Sequence, residues 1–332
     1  MGELLVKKYS EDFESEWDEF VLNTAINGTF LQTRRFLNYH FTGKFIDASW
    51  MIINDKGKII AVCPGNEVIE SGKKILCSHT GSTYGGIIIS LEYCKIEKLI
   101  DIIKMFEDMW IQNGYHKVIL KQTPRILSCS CIDVFRYCYY YLGYNNYEQP
   151  NLYIDLEKYN ENILSNFSQG KRTNVNNCVK SGFYYKKIGT LEEIENMYKL
   201  LALSLEKYDI KPIHNVAEIY DLLNNRIEKE CECFAIYDKK TMIAASMMFY
   251  FERAKVAHTQ YLCADPSYNK LSPMTFMYYT MILEAKRKQY SKISWGICSE
   301  NNGTYLNVGL AKSKEAFGSI CDTNPVFIKV IE

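Results

Sequence analysis

Residues 295–318, WGICSENNGTYLNVGLAKSKEAFG, place more hydrogen-bonding side chains beside an apolar run than a plain connection needs. Ile293, Trp295 and Ile297 alternate as a buried strand does. Ser299 followed by Glu300 then reads as a helix N-cap with an acid in the first turn. From there a helix carries Leu306, Leu310, Lys314 and Phe317 on one stripe. A strand that hands the chain to a helix N-terminus presents free backbone N–H groups at a sheet edge, where α/β proteins hold ligands. Ser299 and Asn307 are thus candidate substrate contacts and Glu300 a candidate base. A second group lies in AHTQYL, residues 257–262. Alternation along a strand puts His258 and Gln260 on one face and Tyr261 on the other, and an imidazole of near-neutral pKa suits general-base work. A satisfied core histidine and an ordinary first-turn glutamate are the structural alternatives.

Further candidates are scattered. His214 follows Pro212 between helices, where it can shape an acceptor pocket. Lys171 and Arg172 open a basic helix whose planar guanidinium can take a phosphate. In the first half, His79, Thr83 and Tyr84 precede the pair Gly85 and Gly86, which lets a ligand or another backbone come close. Lys121 and Arg125 flank Pro124 and can meet an anionic sugar phosphate.

With 332 residues, two domains are expected, and 47% hydrophobic residues exclude disorder. Lys+Arg 39 against Asp+Glu 39 leaves no global field to draw DNA or an acidic membrane. The sequence has no stretch of about 18 apolar residues that could span a bilayer, so no stable membrane insertion is expected, and the N-terminal stretch turns acidic before any leader-like core forms. A cytoplasmic protein is expected. The twelve cysteines include Cys129/Cys131 and Cys231/Cys233, each pair one residue apart. That spacing does not suit zinc hooks, so most of the twelve read as small buried thiols in a reducing compartment, and no metal is expected.

The elements that must position these residues come in the same order twice. Residues 12–22 form an amphipathic helix; Ser49, Asn54, Gly57 and Pro64 punctuate a hairpin; a strand ends in HTGSTYGGIIIS (79–90); a helix covers 92–113 and a strand 116–121. In the second half, helices at 171–180, 191–208 and 216–227 precede a hairpin at 233–251, a strand at 257–265, a helix at 273–289 and a strand at 292–297. Ile52, Ile59 and Ala61 answer to Ile236, Ile243 and Ala245, and Tyr115 and Lys117 to Tyr290 and Lys292. Two copies of one α/β unit are expected, residues 1–150 and 151–332. By the same duplication Tyr84 answers to Tyr261, so the first copy is expected to hold the acceptor and the second to do the chemistry.

The fragments FLQTRRFLNYH (30–40), HTGSTYGGII (79–88), KPIHN (211–215), AHTQYL and KEAFG (314–318) resemble, in this order, the Fem-like acyltransferases of polysaccharide and cell-envelope loci. The resemblance implies two tandem Gcn5-related (GNAT) acetyltransferase-like domains of α/β (α+β) class, each a mixed, mostly antiparallel sheet flanked by helices. It further implies acyl transfer, acetyl or aminoacyl, to an amine or hydroxyl of a small or lipid-linked sugar. The implied donor is a thioester such as acetyl-coenzyme A, or an aminoacyl-tRNA. In the position of the glycine-rich loop that cradles a coenzyme A pyrophosphate stands PSYNKLSPMTF (266–276), with no glycine. Asn269, Lys270 and Ser272, with Lys171, Arg172 and Tyr261, are the donor contacts that remain. Where GNAT enzymes carry a tyrosine four residues before a glycine, this chain has Lys314 ahead of Gly318, as Fem-like members do; its cation can hold a phosphate or an oxyanion. The alternatives are a tRNA-dependent aminoacyl ligase of peptidoglycan bridges, whose helical arm has no counterpart in any heptad run here, and a non-catalytic glycan-binding relative.

Overall fold

The computed structural model describes residues 3–40, 43–206 and 212–331. Lys211 of the KPIHN fragment and positions 207–208, the expected end of a helix, lie outside the described residues. The chain divides into two compact units, Met1–Gln149 with Thr323–Glu332, and Pro150–Asp322.

The first unit runs β1 (Leu4–Lys8), α1 (Glu14–Glu19), α2 (Arg34–Leu37), β2 (Ile46–Asp47), β3 (Trp50–Asn54), β4 (Ile59–Cys63), β5 (Gly65–Glu70), β6 (Lys73–Ser78), β7 (Ile88–Ile89), α3 (Ile96–Gln112), β8 (Tyr115–Lys121) and α4 (Val134–Tyr141). Asn54 sets the hairpin turn by accepting from the amides of Lys56 (3.1 Å) and Lys58 (2.9 Å). β1, β3, β4 and β7 form one antiparallel sheet. In a second, β2, β5, β6 and β8 lie side by side, with β6 and β8 parallel from Lys74↔Tyr115 to Cys77↔Ile119. Helix α3 crosses between those two strands and buries Leu99, Ile103, Phe106 and Trp110 of the stripe its spacing predicts, whereas Ile96, the first residue of that stripe, is exposed at the helix start.

The second unit takes up β9 (Asn145–Asp155) and continues through α5 (Gln169–Lys180), β10 (Tyr184–Ile188), α6 (Leu191–Glu206), α7 (Val216–Asp221), β11 (Cys231–Asp238), β12 (Thr241–Phe251), β13 (Val256–Ala264), α8 (Pro273–Arg287), β14 (Lys292–Ile297), β15 (Ser299–Glu300), β16 (Tyr305–Leu306) and α9 (Val308–Glu315), before β17 (Ile320–Val330). Its sheet has the order β10-β11-β12-β13-β14-β9, antiparallel except for the step from β13 to β14. Helix α8 makes that crossover and lays Met277, Met281, Ile282 and Ala285 on Ile236, Met248, Ala257 and Ile293. Each of these fully buried methionine and isoleucine side chains contributes about 1.5–3 kcal/mol of apolar transfer.

Four expectations change. Residues from Thr323 on belong to the first unit, because Val326 to Val330 of β17 pair antiparallel with Lys121 to Lys117 of β8. Residues 79–87 are a loop and not a strand, so Tyr84 is no counterpart of Tyr261. The pair Gly85 and Gly86 admits backbone: Gly85 N–H donates to Lys121 O at 2.7 Å and Gly86 N–H to Ser78 Oγ at 3.0 Å. No helix starts at Ser299. Asn301, Asn302 and Gly303 all take positive φ and close a hairpin of β15 with β16, and α9 begins at Val308 under an Asn307 cap. Leu306 therefore leaves the helical stripe, of which Lys314 and Phe317 are buried.

Candidate active site

The parallel strands β13 and β14 share three rungs, Val256↔Lys292, Ala257↔Ile293 and His258↔Ser294, and then part. Where strands part, backbone groups and inward side chains are left for other partners. Two local features shape this place. A bulge in β13 sets Met247 opposite Tyr261 and Met248 opposite Thr259, leaving Gln260 as the extra residue. Cross-strand partners share a face, and His258 pairs with Phe249, two residues from Met247. His258 and Tyr261 consequently share a face, which corrects the alternation expected from the sequence. In β14, Gly296 has φ +74°, and an added Cβ would sit 3.5 Å from His258 Cε1. Glycine lets the chain turn there against the imidazole.

His258 is buried, with Nδ1 3.1 Å from Ser294 Oγ. The Ser294 hydroxyl donates to Asn151 Oδ1 at 3.1 Å and accepts from Gly296 N–H at 3.3 Å. Burial first, and the nearby Lys314 cation second, hold the imidazole's pKa down at about 4, so it is neutral at pH 7. Lys314 reaches in from α9, 3% exposed, and donates to Gly296 O at 3.1 Å and Ile297 O at 2.8 Å. Burial lowers its pKa to about 8, opposed by the thiol of Cys298. No carboxylate pairs with it among the described residues. A buried ammonium with two carbonyl partners keeps one hydrogen in hand and a charge unbalanced by any acid.

The other candidates sort by place. Tyr261 and the buried His214 meet, hydroxyl to Nδ1, with ring centroids 5.5 Å apart edge to face. Glu300 is exposed and accepts from Asn307 Nδ2 at 3.3 Å, while Asn307 Oδ1 caps Leu310 N–H at 3.0 Å. Ser299 is buried, and its hydroxyl has no partner among the described residues. Lys171 donates to Ser313 Oγ at 3.0 Å over the Phe317 ring, and Arg172 donates to Phe167 O at 2.8 Å, so both bind protein groups. Asn269 and Lys270 lie exposed on a 3-10 helix, Pro266–Leu271, and Ser272 at φ +58° leads into α8, whose first residue is a proline. A proline has no N–H to offer a phosphate, and the amides of Ser272 and Thr275 bond to Asn269 O and Ser272 O. This connector does not fit the glycine-lined pyrophosphate cradle of coenzyme A.

The first unit has a cleft of about 410 Å³. Arg34 sits in it with its guanidinium carbon 3.8 Å from the Tyr9 ring centre, its NH2 2.6 Å from Asp47 Oδ2 and 3.1 Å from Asn38 Oδ1. His79 and Phe45 form part of the wall, ring centroids 5.0 Å apart. Burial lowers the His79 pKa to about 4, against the pull of Asp47. Thr83 is half-buried, and the buried Tyr84 hydroxyl lies 3.5 Å from Asn324 Nδ2. The Lys121 amide donates to Ser78 Oγ at 2.9 Å, and the exposed Arg125 stands 3.6 Å from Asp133. Arg34, Asn151 and Ser294 escaped the sequence reading. The one signal for Arg34 was an arginine pair inside an otherwise apolar short helix, whereas Asn151 and Ser294 gain meaning only through strand pairing.

No group of three or more His, Cys, Asp or Glu side chains suited to a metal occurs among the described residues, nor any helix long and apolar enough to cross a membrane. A family model described as an acetyltransferase (GNAT) domain matches residues 170–305. No curated protein matches the sequence. Among solved structures of similar fold is FemX, at 11% identity over 97% of this chain and 96% of that one, TM-score 0.69. Another is the C-terminal domain of a lysylphosphatidylglycerol synthetase from Agrobacterium fabrum, at 10% identity over 96% and 92%, TM-score 0.60. A third is a tandem GNAT protein from the clavulanic acid biosynthesis pathway, at 7% identity over 99% of each chain, TM-score 0.59. Residues 170–305 thus match an acetyltransferase (GNAT) domain, and the chain as a whole shares the fold of FemX and of the tandem GNAT protein.

Proposed function

We propose that this enzyme moves an acyl group from an activated ester or thioester to an amine or hydroxyl of a sugar, small or lipid-linked, in cell-envelope glycan assembly. The observation that carries the reading is Lys314: a buried cation with no acidic partner among the described residues, at the point where the two parallel strands part. Acyl transfer builds negative charge on the carbonyl oxygen as the acceptor attacks, and a desolvated N–H donor stabilises that oxygen far more than water does. His258, neutral at neutral pH, takes the acceptor's proton. The new C–N or C–O bond forms as the donor's C–S or C–O bond breaks, and the leaving group carries the proton away. Tyr261 and His214 line the face that His258 shares.

The first unit supports a sugar acceptor. Its cleft sets planar polar groups, Arg34, Asn38 and Asp47, beside the rings of Tyr9 and Phe45, the mixture that meets hydroxyls on one side and a C–H face on the other. Gly85 and Gly86 also fill the space beyond the parallel strands β6 and β8 with backbone, so a single acyl donor per chain is expected.

Acetyl-coenzyme A is the first donor to test. The connector without glycine, opened by Pro273, favours an aminoacyl ester as the second reading. Titration calorimetry with acetyl-coenzyme A and with a short aminoacyl-ester RNA mimic, followed by mass spectrometry of nucleotide sugars and polyprenyl-linked sugars incubated with each, tests both. Acylation of any of these sugars upholds the proposal. Glycan binding with neither donor binding nor acylation would leave a non-catalytic relative instead.

A further inference from the structure

Resting on the reading of His258 as the proton acceptor, we propose that Asn151 is a positioning residue that, through Ser294, fixes the imidazole of His258 as the Nδ1–H tautomer, with the Nε2 lone pair free to take the acceptor's proton. Asn151 is fully buried on β9, where it pairs with Ile297 of β14, and its Oδ1 lies 3.1 Å from Ser294 Oγ. A carbonyl oxygen only accepts, so the single hydroxyl hydrogen of Ser294 goes to Asn151. Ser294 Oγ is left with lone pairs, one taken by Gly296 N–H at 3.3 Å and the other facing His258 Nδ1 at 3.1 Å. The imidazole satisfies that contact by donating, which places its hydrogen on Nδ1. Nε2 then has no hydrogen-bond partner among the described residues. Which ring nitrogen carries the proton is set by the bond the other one makes.

The relay is built for this and little else. All its members are buried, so water does not compete for the serine hydrogen. Asn151 engages the relay through Oδ1 alone, its Nδ2 having no partner among the described residues. Turned over, the amide would donate to Ser294, whose hydrogen would pass to Nδ1 and leave His258 as the Nε2–H tautomer, unable to accept a proton there.

The test is imidazole ¹⁵N spectroscopy of the full chain labelled at histidine. Five histidines are present, and His258→Gln identifies the signal. The expected wild-type pattern is a protonated Nδ1 and an unprotonated Nε2. Asn151→Leu removes the acceptor and should reverse the tautomer and lower kcat by about 100-fold with KM little changed, the range general-base contributions span. Asn151→Asp, which can still only accept from Ser294, should restore the wild-type tautomer and most of kcat. An Nε2–H pattern in the wild type, or an unchanged pattern in Asn151→Leu, overturns the proposal. Should Asn151→Leu fail to fold, the wild-type and Asn151→Asp spectra decide. Full activity in His258→Gln would instead remove the role assigned to His258 and leave the tautomer result standing.

Discussion

Replacing Lys314 by methionine separates a catalytic cation from a structural one, since the straight side chain fills nearly the same space. Two stability effects oppose each other. Holding the ammonium charged at pH 7 in a site that lowers its pKa from 10.5 to about 8 costs about 3 kcal/mol, which methionine relieves. Against that, Gly296 O and Ile297 O lose their donor, at roughly 1–3 kcal/mol each if water does not replace it. The net change should fall between about 1 kcal/mol of gain and 3 kcal/mol of loss, so the variant folds. Activity should fall much further, by about 10²–10³ in kcat, the effect of removing one oxyanion donor. Urea unfolding at pH 7 and single-turnover acyl transfer measure the two sides. The pH dependence adds a second check. The folded lysine releases its proton near pH 8 and the unfolded one near 10.5, so between these values the unfolded chain binds more protons and wild-type stability rises with pH, while kcat falls as the cation is lost. Methionine should abolish both slopes. A variant that loses more than about 5 kcal/mol of stability yet, where folded, keeps its kcat would refute the reasoning and make Lys314 a clamp on strand-end carbonyls.

Two further predictions concern the rest of the fold. His79 and His258 are held neutral by burial, with pKa near 4 against an ordinary 6.5, so the stability that each contributes is present above about pH 6.5 and is lost as pH falls toward 4. Urea titrations at pH 7 and pH 4.5 should show a loss of up to about 3 kcal/mol per histidine, reduced in His79→Gln and in His258→Gln. Gly86 has φ +74°, and a Cβ there would meet Gln122 Oε1 at 2.5 Å and its Cα at 3.1 Å. Gly86→Ala should lower stability by about 2–4 kcal/mol, whereas Gly114→Ala, with φ +80° but open space, should cost about 1 kcal/mol; equal losses would mean that the close approach to Gln122 does not matter.

Much of the architecture was legible because it repeats strong local signals. The apolar stripe of α3, the Asn54 to Gly57 turn and the α8 to β14 succession each follow from periodicity or turn chemistry that needs no distant partner. The misreadings fall where two local signals compete. Ser299 and Glu300 have the residue types of a helix start, yet Asn301, Asn302 and Gly303 favour left-handed backbone even more strongly, and the hairpin wins. The loop at 79–87 runs through Ile87 straight into Ile88 and Ile89 and so passes for part of their strand, but its glycines let it pack flat against Ser78 and Gln122, where a strand's side chains would clash.

The sequence by itself determined that two α/β units follow one another, that His258 and Lys314 are polar residues in apolar stretches, and which family the chain resembles, because composition and spacing are local properties. Only the tertiary structure decided that Lys314 reaches the carbonyls of Gly296 and Ile297, that a bulge at Gln260 turns His258 and Tyr261 to one face, and that Asn151 meets Ser294 across 143 positions of chain. Register and burial come from the pairing of distant segments, and a pKa shift or an unbalanced charge exists only once those segments have excluded water.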